Sequence, residues 1–127
     1  MTLPEIEAYC LCQPGAYVDY PFNEFPVFKL KAPSQEKGPI FAMPFVLRGK
    51  PVVTLKCSAM AGDFYRGAYP GTVTRGYHCP PVQQPYFNTV TLDGNVPDDV
   101  LLEMINHAYA AALAKLPQKA QRELDLK

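Results

Sequence analysis

The sequence predicts an α+β domain in which an antiparallel β-sheet carries an N-terminal helix and a long C-terminal helix packed on one face. Three observations indicate this class: helical spacing of apolar residues at both ends of the chain, alternating or β-branched segments between them, and one short helix within that run of strands. With 127 residues and 48% hydrophobic side chains, the chain is expected to form a single domain over residues 1–127.

The first half of the chain predicts one helix followed by strands. Thr2-Leu3-Pro4-Glu5 is a capping box that starts the helix, and Gln13-Pro14-Gly15 ends it. Residues 17–26 are expected to form a proline-punctuated connection. The predicted strands lie at 25–31, at 39–47 with an interruption at Pro44, and at 52–57 after a turn at 48–50.

The second half predicts a short helix, two strands and the long helix. Ser58 is the expected N-cap of the short helix, which ends near Ala68. The strands are expected at 72–77 and 86–92. Pro97, followed by two acidic residues, opens the long helix, and a short polar helical tail is expected at 118–126. The buried stripe of the long helix is predicted to comprise Leu101, Ile105, Ala108, Tyr109, Ala112 and Leu116.

Composition limits the classes of protein that fit. No apolar run reaches the roughly 20 residues of a membrane helix, so no association with a membrane is expected. The four cysteines lie at irregular positions, and Cys10 and Cys12 are too close for a normal disulfide, which indicates a reduced cytoplasmic location. Twelve basic and twelve acidic side chains cancel, which argues against indiscriminate affinity for nucleic acid.

The basic residues are nevertheless concentrated in the middle of the chain, where they define a first candidate site. Lysines that face outward on neighbouring strands could meet successive DNA phosphates and give affinity without sequence readout. The alternative is an ordinary solvated sheet face on which lysine discourages edge pairing. The candidate DNA-binding residues are Lys29, Lys31, Arg48, Lys50, Lys56 and Arg75.

Aromatic and polar residues beside a proline-rich loop form a second candidate site. They could stack on bases, or line a pocket for a small molecule or a protein segment. The alternative is that the aromatic rings pack in the core while the polar groups satisfy the backbone at strand ends. The candidate pocket residues are Tyr77, His78, Tyr86, Phe87 and Asn88.

Neither catalysis nor a cofactor is predicted. The chain has no Gly-rich phosphate loop, no Gly-x-Ser-x-Gly and no His-x-x-x-His pair, so we expect no enzyme and assign no catalytic residue. The cysteines lack the spacing of zinc ligands, so no metal site is assigned. Asp98 and Asp99 are explained by the helix start that they stabilise. A monomer is expected.

Several short motifs in order along nearly the whole chain resemble the MmcQ/YjbR family. They include Cys10-Leu11-Cys12-Gln13-Pro14-Gly15, Asp19-Tyr20-Pro21-Phe22, Gly76-Tyr77-His78, Asn88-Thr89-Val90, Leu92-Asp93-Gly94 and Pro97-Asp98-Asp99. The resemblance implies a fold similar to bacterial frataxin (CyaY-like) and to the double-wing DNA-binding domain of a phage transcription activator. It also implies a suggested role in DNA binding.

Two features depart from what the resemblance implies. Family members are similar in having a Lys-Lys turn and a Trp after Gly-Tyr-His, where this chain has prolines, glutamines and then Tyr86-Phe87. A Ser-Tyr pair of the family is replaced by Ala108-Tyr109.

The likeness to frataxin also leaves open a weak cation site on the acidic N-terminal residues, for which the alternative is a solvated face. Those residues are Glu5, Glu7, Asp19 and Glu24.

Overall fold

The computed structural model describes residues 1–21, 23–76 and 79–125, and over these residues helices pack on a six-stranded antiparallel sheet. The strands are β1 (Ala16–Asp19), β2 (Val27–Leu30), β3 (Ile40–Leu47), β4 (Lys50–Lys56), β5 (Val73–Arg75) and β6 (Phe87–Thr91). The helices are α1 (Leu3–Leu11), α2 (Ala59–Ala68), α3 (Asp98–Leu113) and α4 (Gln118–Asp125), with a 3-10 turn at Gln84–Tyr86. The strand order across the sheet is β1-β2-β3-β4-β6-β5.

The predicted helix starts are confirmed by their caps. The Thr2 hydroxyl accepts a hydrogen bond from the Glu5 N–H, and the Glu5 carboxylate accepts one from the Thr2 N–H at 2.8 Å. At the start of α2 the Ser58 hydroxyl accepts from the Ala61 N–H at 3.1 Å. These bonds satisfy donors that the first turn of a helix cannot satisfy itself.

The core between the sheet and the helices confirms the predicted fold class. Helices α1 and α3 bury apolar side chains in one cluster with strands β2, β3, β4 and β6. Members of this cluster include Ile6, Cys10, Leu30, Phe41, Val53, Leu55, Val90, Leu101, Ile105, Ala108, Ala112 and Leu116. Tyr109 of the predicted stripe is only half-buried. Its ring packs edge-on against Phe41, and its hydroxyl donates to the Pro14 carbonyl at 2.6 Å.

Two strands differ from the sequence prediction, and the C-terminal helix contributes more to the core than its polar sequence suggested. Strand β1 overlaps the start of the expected connection. It has only four residues, which show no clear alternation, and it forms through pairing with β2. Strand β3 continues through Pro44. The pairing between β2 and β3 extends only to Ala42, so Pro44, which has no N–H, lies beyond the hydrogen bonds between these two strands. The helical tail is confirmed as α4, and it also buries Ala120 and Leu124 in the core.

The outer face of the sheet, opposite α1 and α3, is also largely covered. Val52, Thr54 and Lys56 lie on this face of β4, opposite Val53 and Leu55, and all three are buried, although Lys56 was expected to face outward. Phe25, from the β1–β2 connection, packs on Phe45 with ring centres 5.2 Å apart. Thr54 bonds its hydroxyl to that of Thr89 on β6 at 2.8 Å. Segments outside the strands therefore shape clefts on this face.

Candidate functional site

The six basic residues of the first candidate site do not form one surface. Arg48 and Lys50 are exposed at the β3–β4 hairpin, where Arg48 and Gly49 both have positive φ as a two-residue turn requires. Lys56 ends the same strand, six residues from Lys50, and this separation corresponds to about 20 Å along an extended chain. Arg75 is exposed on the edge strand β5, near the end of β4 that carries Lys56. The hairpin charges therefore lie far from the others.

Lys29 and Lys31 use their charges locally. The Lys29 ammonium lies 2.7 Å from the Asp19 carboxylate, and this hydrogen bond holds the pKa of Asp19 below its ordinary value. The Lys31 ammonium sits 5.2 Å from the centre of the Tyr17 ring and donates to the Glu36 carbonyl at 3.2 Å. Both side chains are half-buried and make these contacts within the fold, whereas the alternation of the strand predicted that they would be exposed to solvent.

The second candidate site is divided by the structure. Tyr77 and His78 lie outside the described residues. Tyr86 is 46% exposed, and Phe87 is half-buried on the outer face of the sheet. Successive residues of a strand point to opposite faces, so Asn88 points away from Phe87. On that opposite face Asn88 is buried with 1% exposure. The three described residues therefore do not line one cavity.

Asn88 attaches α2 to β6. Its side-chain oxygen accepts from Arg66 at 2.6 Å, and its side-chain nitrogen donates to the Gly62 carbonyl at 3.3 Å. Arg66 also contacts the Asp63 carboxylate at 2.5 Å. Both polar atoms of the amide are thus hydrogen-bonded within the fold, as the alternative interpretation of this residue expected.

Phe87 forms a wall of an open cleft of about 600 Å³ on the outer face of the sheet, which we call the sheet-face pocket. Ile40 and Met43 of β3 contribute apolar surface, and Phe25 borders the cleft from the β1–β2 connection. We call residues 79–86 the proline loop; it forms the remaining side. The lining residues are Glu24, Phe25, Ile40, Met43, Cys79, Pro80, Gln83 and Phe87.

The proline loop is fixed to the sheet and to itself. The Cys57 N–H donates to the Tyr86 carbonyl at 2.8 Å, and the Gln83 N–H donates to the Pro80 carbonyl at 2.8 Å. The Gln84 side chain donates to the Cys79 carbonyl at 3.2 Å. Prolines restrict φ at several of the remaining positions. The pocket wall is therefore held in place before any ligand arrives.

The polar groups of the sheet-face pocket are few. Glu24 and Gln83 supply a carboxylate and an amide, and Cys79 supplies a thiol. Burial raises the pKa of the Cys79 thiol, although Lys56 opposes the shift. This thiol is accordingly protonated at neutral pH and is a weak nucleophile.

A second cleft of about 450 Å³ lies on the other side of Phe25, against Leu3, Pro44 and Phe45. Its titratable groups are the carboxylates of Glu7 and Glu24. It is smaller than the sheet-face pocket and lacks the proline loop. The sheet-face pocket is thus the stronger candidate.

Two further features of the described residues bear on other classes of function. Across 1–21, 23–76 and 79–125, no three His, Cys, Asp or Glu side chains gather closely enough to hold a metal ion. In the same part of the chain, every helix is too short or too polar to cross a bilayer.

The sequence prediction found the loop but missed most of the pocket. Phe25, Ile40 and Met43 come from segments far from the loop in sequence, and only the pairing of β3, β4 and β6 brings them together. The usable signal was the proline-rich loop itself, which the sequence marks as unusual.

Known proteins resemble the chain over almost its full length. A family model described as YjbR matches residues 11–111. The Escherichia coli K12 protein called uncharacterized protein YjbR is 27% identical over 124 residues, 98% of each chain. The crystal structure of Deinococcus radiodurans protein DR2400 has a TM-score of 0.84 and 27% identity, covering 98% of this chain and 88% of that one. A Pseudomonas syringae crystal structure with a TM-score of 0.69 and 16% identity covers 88% of this chain and 99% of its own, and shares the fold.

Proposed function

The chain belongs to the YjbR family, and from the pocket that its fold carries we propose that the protein binds a small, mainly apolar molecule between the sheet and the proline loop. The observation that carries this function is the sheet-face pocket, whose volume of about 600 Å³ falls within the roughly 300–1,000 Å³ of small-molecule sites. Its walls are largely built from fixed elements, so little ordering would oppose binding.

The lining chemistry defines the class of ligand. Phe25, Ile40, Met43 and Phe87 offer apolar and aromatic surface, which favours a ligand with an apolar or aromatic body. Glu24 and Gln83 at the cleft could orient one or two polar groups of that ligand. Binding of this kind depends on burial of apolar surface, and it should be insensitive to salt.

Methionine methyl groups provide a direct test. Met43 lines the pocket, whereas Met60 is 85% exposed on α2 and Met104 is buried in the core. A library of small aromatic and aliphatic molecules is titrated into protein carrying ¹³C-methyl methionine. Molecules that bind as proposed shift the Met43 signal and leave the Met60 and Met104 signals in place.

Two variants sharpen this test. Ile40→Phe places a larger side chain in the pocket and should abolish the Met43 shifts. Val82→Phe adds the same ring to the proline loop at a side chain that is 76% exposed and outside the pocket lining, so it should leave the shifts intact. Parallel shifts of Met43 and Met60, or no shift with any molecule, would refute the pocket as a binding site.

DNA binding, the first function predicted from the sequence, stays a prediction, and it receives less support from this geometry. Lys29 is paired with Asp19 and Lys56 is buried, so two of the six basic side chains are poorly placed for phosphates. The absence of catalysis, the monomeric state and the cytoplasmic location also stay predictions. Our proposal accordingly assigns binding without a chemical reaction.

A further inference from the structure

A separate cleft opens on the other side of the proline loop, where β4 ends and α2 begins. We call it the Lys56 cleft; its volume is about 440 Å³. Its lining residues are Lys56, Cys57, Ser58, Gln83, Tyr86, Ala111, Ala114 and Lys115. Two of these residues are lysines, and none of the lining residues carries a carboxylate that would balance their charge.

Lys56 is the unusual member of the cleft. It is only 7% exposed, and lysines buried to this extent are normally paired with an acid. The ion pairs found among the described residues join Met1 to Asp98, Lys29 to Asp19 and Arg66 to Asp63. The contact found for the Lys56 ammonium is instead with the Phe87 ring, 4.9 Å from its centre, which stabilises the charge without neutralising it.

Lys115 increases the local excess of positive charge. It lies near the C-terminal end of α3, one residue beyond the Ala114 C-cap, and its side chain lines the same cleft as that of Lys56. Burial lowers the pKa of Lys56, and repulsion from Lys115 lowers it further. Two cations held together in this way are stabilised when an anion lies between them.

The start of α2 contributes a second source of positive potential. Ser58 and Cys57, which precede the helix, both line the cleft. The Ser58 hydroxyl accepts from the Ala61 N–H, while the N–H groups of Ala59 and Met60 precede the first intrahelical bond. The N-terminus of a ten-residue helix is a favourable place for an anion.

We propose that the Lys56 cleft binds a small oxyanion, such as a phosphate or carboxylate group, between Lys56, Lys115 and the N-terminus of α2. The ammonium of the largely buried Lys56 side chain supplies a fixed charge, Lys115 supplies a second one from the rim, and backbone N–H groups complete the contacts. The volume of about 440 Å³ leaves room for a small organic group attached to that anion. This site is distinct from the sheet-face pocket, and the inference does not rest on the proposed function.

Titration calorimetry of the full chain tests the site with inorganic phosphate and, separately, with acetate. Ionic strength is held constant with sodium chloride so that general screening does not change. We expect saturable binding of at least one of the two anions. Binding of phosphate alone identifies a phosphate group as the natural anion, and binding of acetate alone identifies a carboxylate.

Lys115→Gln is the decisive variant, because Lys115 is exposed and the fold does not depend on its burial. Removal of one charge-assisted contact should weaken binding by about tenfold or more. Lys50→Gln is the matched control, since it removes the same charge from an exposed residue at the far end of β4. It should leave the affinity unchanged.

Two results would overturn the site. Equal weakening by Lys115→Gln and Lys50→Gln would show a general effect of protein charge, and the absence of saturable heat with both anions would show no site. Amide signals of Ala59 and Met60 give an independent readout, because an anion at the helix N-terminus must shift them. Neither result would affect the Met43 methyl test of the sheet-face pocket.

Discussion

Lys56 and Phe87 are opposite partners on β4 and β6, and the Lys56 ammonium lies 4.9 Å from the centre of the Phe87 ring. Phe87 forms a wall of the sheet-face pocket, whereas Lys56 lines the Lys56 cleft. Gln83 of the proline loop borders both. One pair of side chains and one loop residue therefore separate an apolar cleft from a cationic one.

Phe87→Leu should affect the two clefts unequally. The leucine keeps apolar surface but removes the ring, so affinity for aromatic molecules in the sheet-face pocket should fall by roughly two- to tenfold. Affinity for phosphate in the Lys56 cleft should change less, because Lys115 and the helix N-terminus remain. Phe64→Leu is the control, as Phe64 is 67% exposed on α2. Methyl NMR and calorimetry measure the two affinities, and equal losses in both clefts would contradict the separation.

Two glycines of α2 should respond oppositely to alanine. A Cβ on Gly62 would lie 2.8 Å from the Cys57 sulfur and 3.3 Å from the Pro85 carbonyl oxygen, so Gly62→Ala should destabilise the protein and displace the proline loop. A Cβ on Gly67 meets nothing within 4 Å, and Gly67→Ala should add about 0.5–1 kcal/mol to the free energy of unfolding. Urea denaturation measures both. Stabilisation by both variants would show that the helix does not press on the loop.

Asn88→Ala should be strongly destabilising although the residue was a candidate for ligand binding. The change leaves Arg66 without its 2.6 Å acceptor, and the expected loss is about 1–3 kcal/mol of unfolding free energy. Asn95→Ala, at an exposed asparagine bonded to Thr72, should cost about 0.5 kcal/mol or less. Denaturation curves compare the two, and similar costs would mean that Asn88 does not anchor α2.

The sequence predicted the helices and central strands because their signals are local. The capping box at Thr2, the N-cap at Ser58 and the acidic residues after Pro97 each specify a helix start within a few positions. The sequence did not reveal β1, whose four residues become a strand only through pairing with β2. The likeness to bacterial frataxin and to double-wing domains stays a prediction.

The candidate sites depended on which side chains come together, and that information is not local. Alternation placed Lys56 correctly on the face opposite Val53 and Leu55, but it could not show that other segments cover this face. Lys115 was not recognised because its partner in the Lys56 cleft lies on β4, 59 positions earlier in the chain. Pocket residues from four separate segments could be assembled only by the strand order.

Any affinity for duplex DNA should depend on Lys50 more than on Lys29. Lys50 is exposed, whereas the Lys29 ammonium is already 2.7 Å from the Asp19 carboxylate. Loss of one phosphate contact should reduce the slope of log affinity against log salt by about 1 in Lys50→Ala and by less in Lys29→Ala. Fluorescence anisotropy of a labelled duplex at several salt concentrations measures the slopes. A larger effect of Lys29→Ala would reverse this assignment, and no binding at low salt would end the DNA hypothesis.

Lys56→Met should be tolerated, and its effect should depend on pH in a defined direction. Burial lowers the folded-state pKa of Lys56 from its ordinary value of 10.5, so the charged amine opposes folding. Below the folded-state pKa this penalty is fully present, and the variant should be at least as stable as the original chain. As pH rises toward 10.5, the unfolded chain binds more protons than the folded one, and the original chain gains stability relative to the variant.

Urea denaturation of both proteins, at about pH 7 and about pH 10, measures this difference while cancelling the contributions of other groups. Phosphate added at neutral pH should raise the stability of the original chain, because the anion binds only the folded state, and should do so much less in the variant. A stability advantage of the variant that grows with pH would contradict the lowered pKa. Equal stabilisation of both proteins by phosphate would remove Lys56 from the anion site.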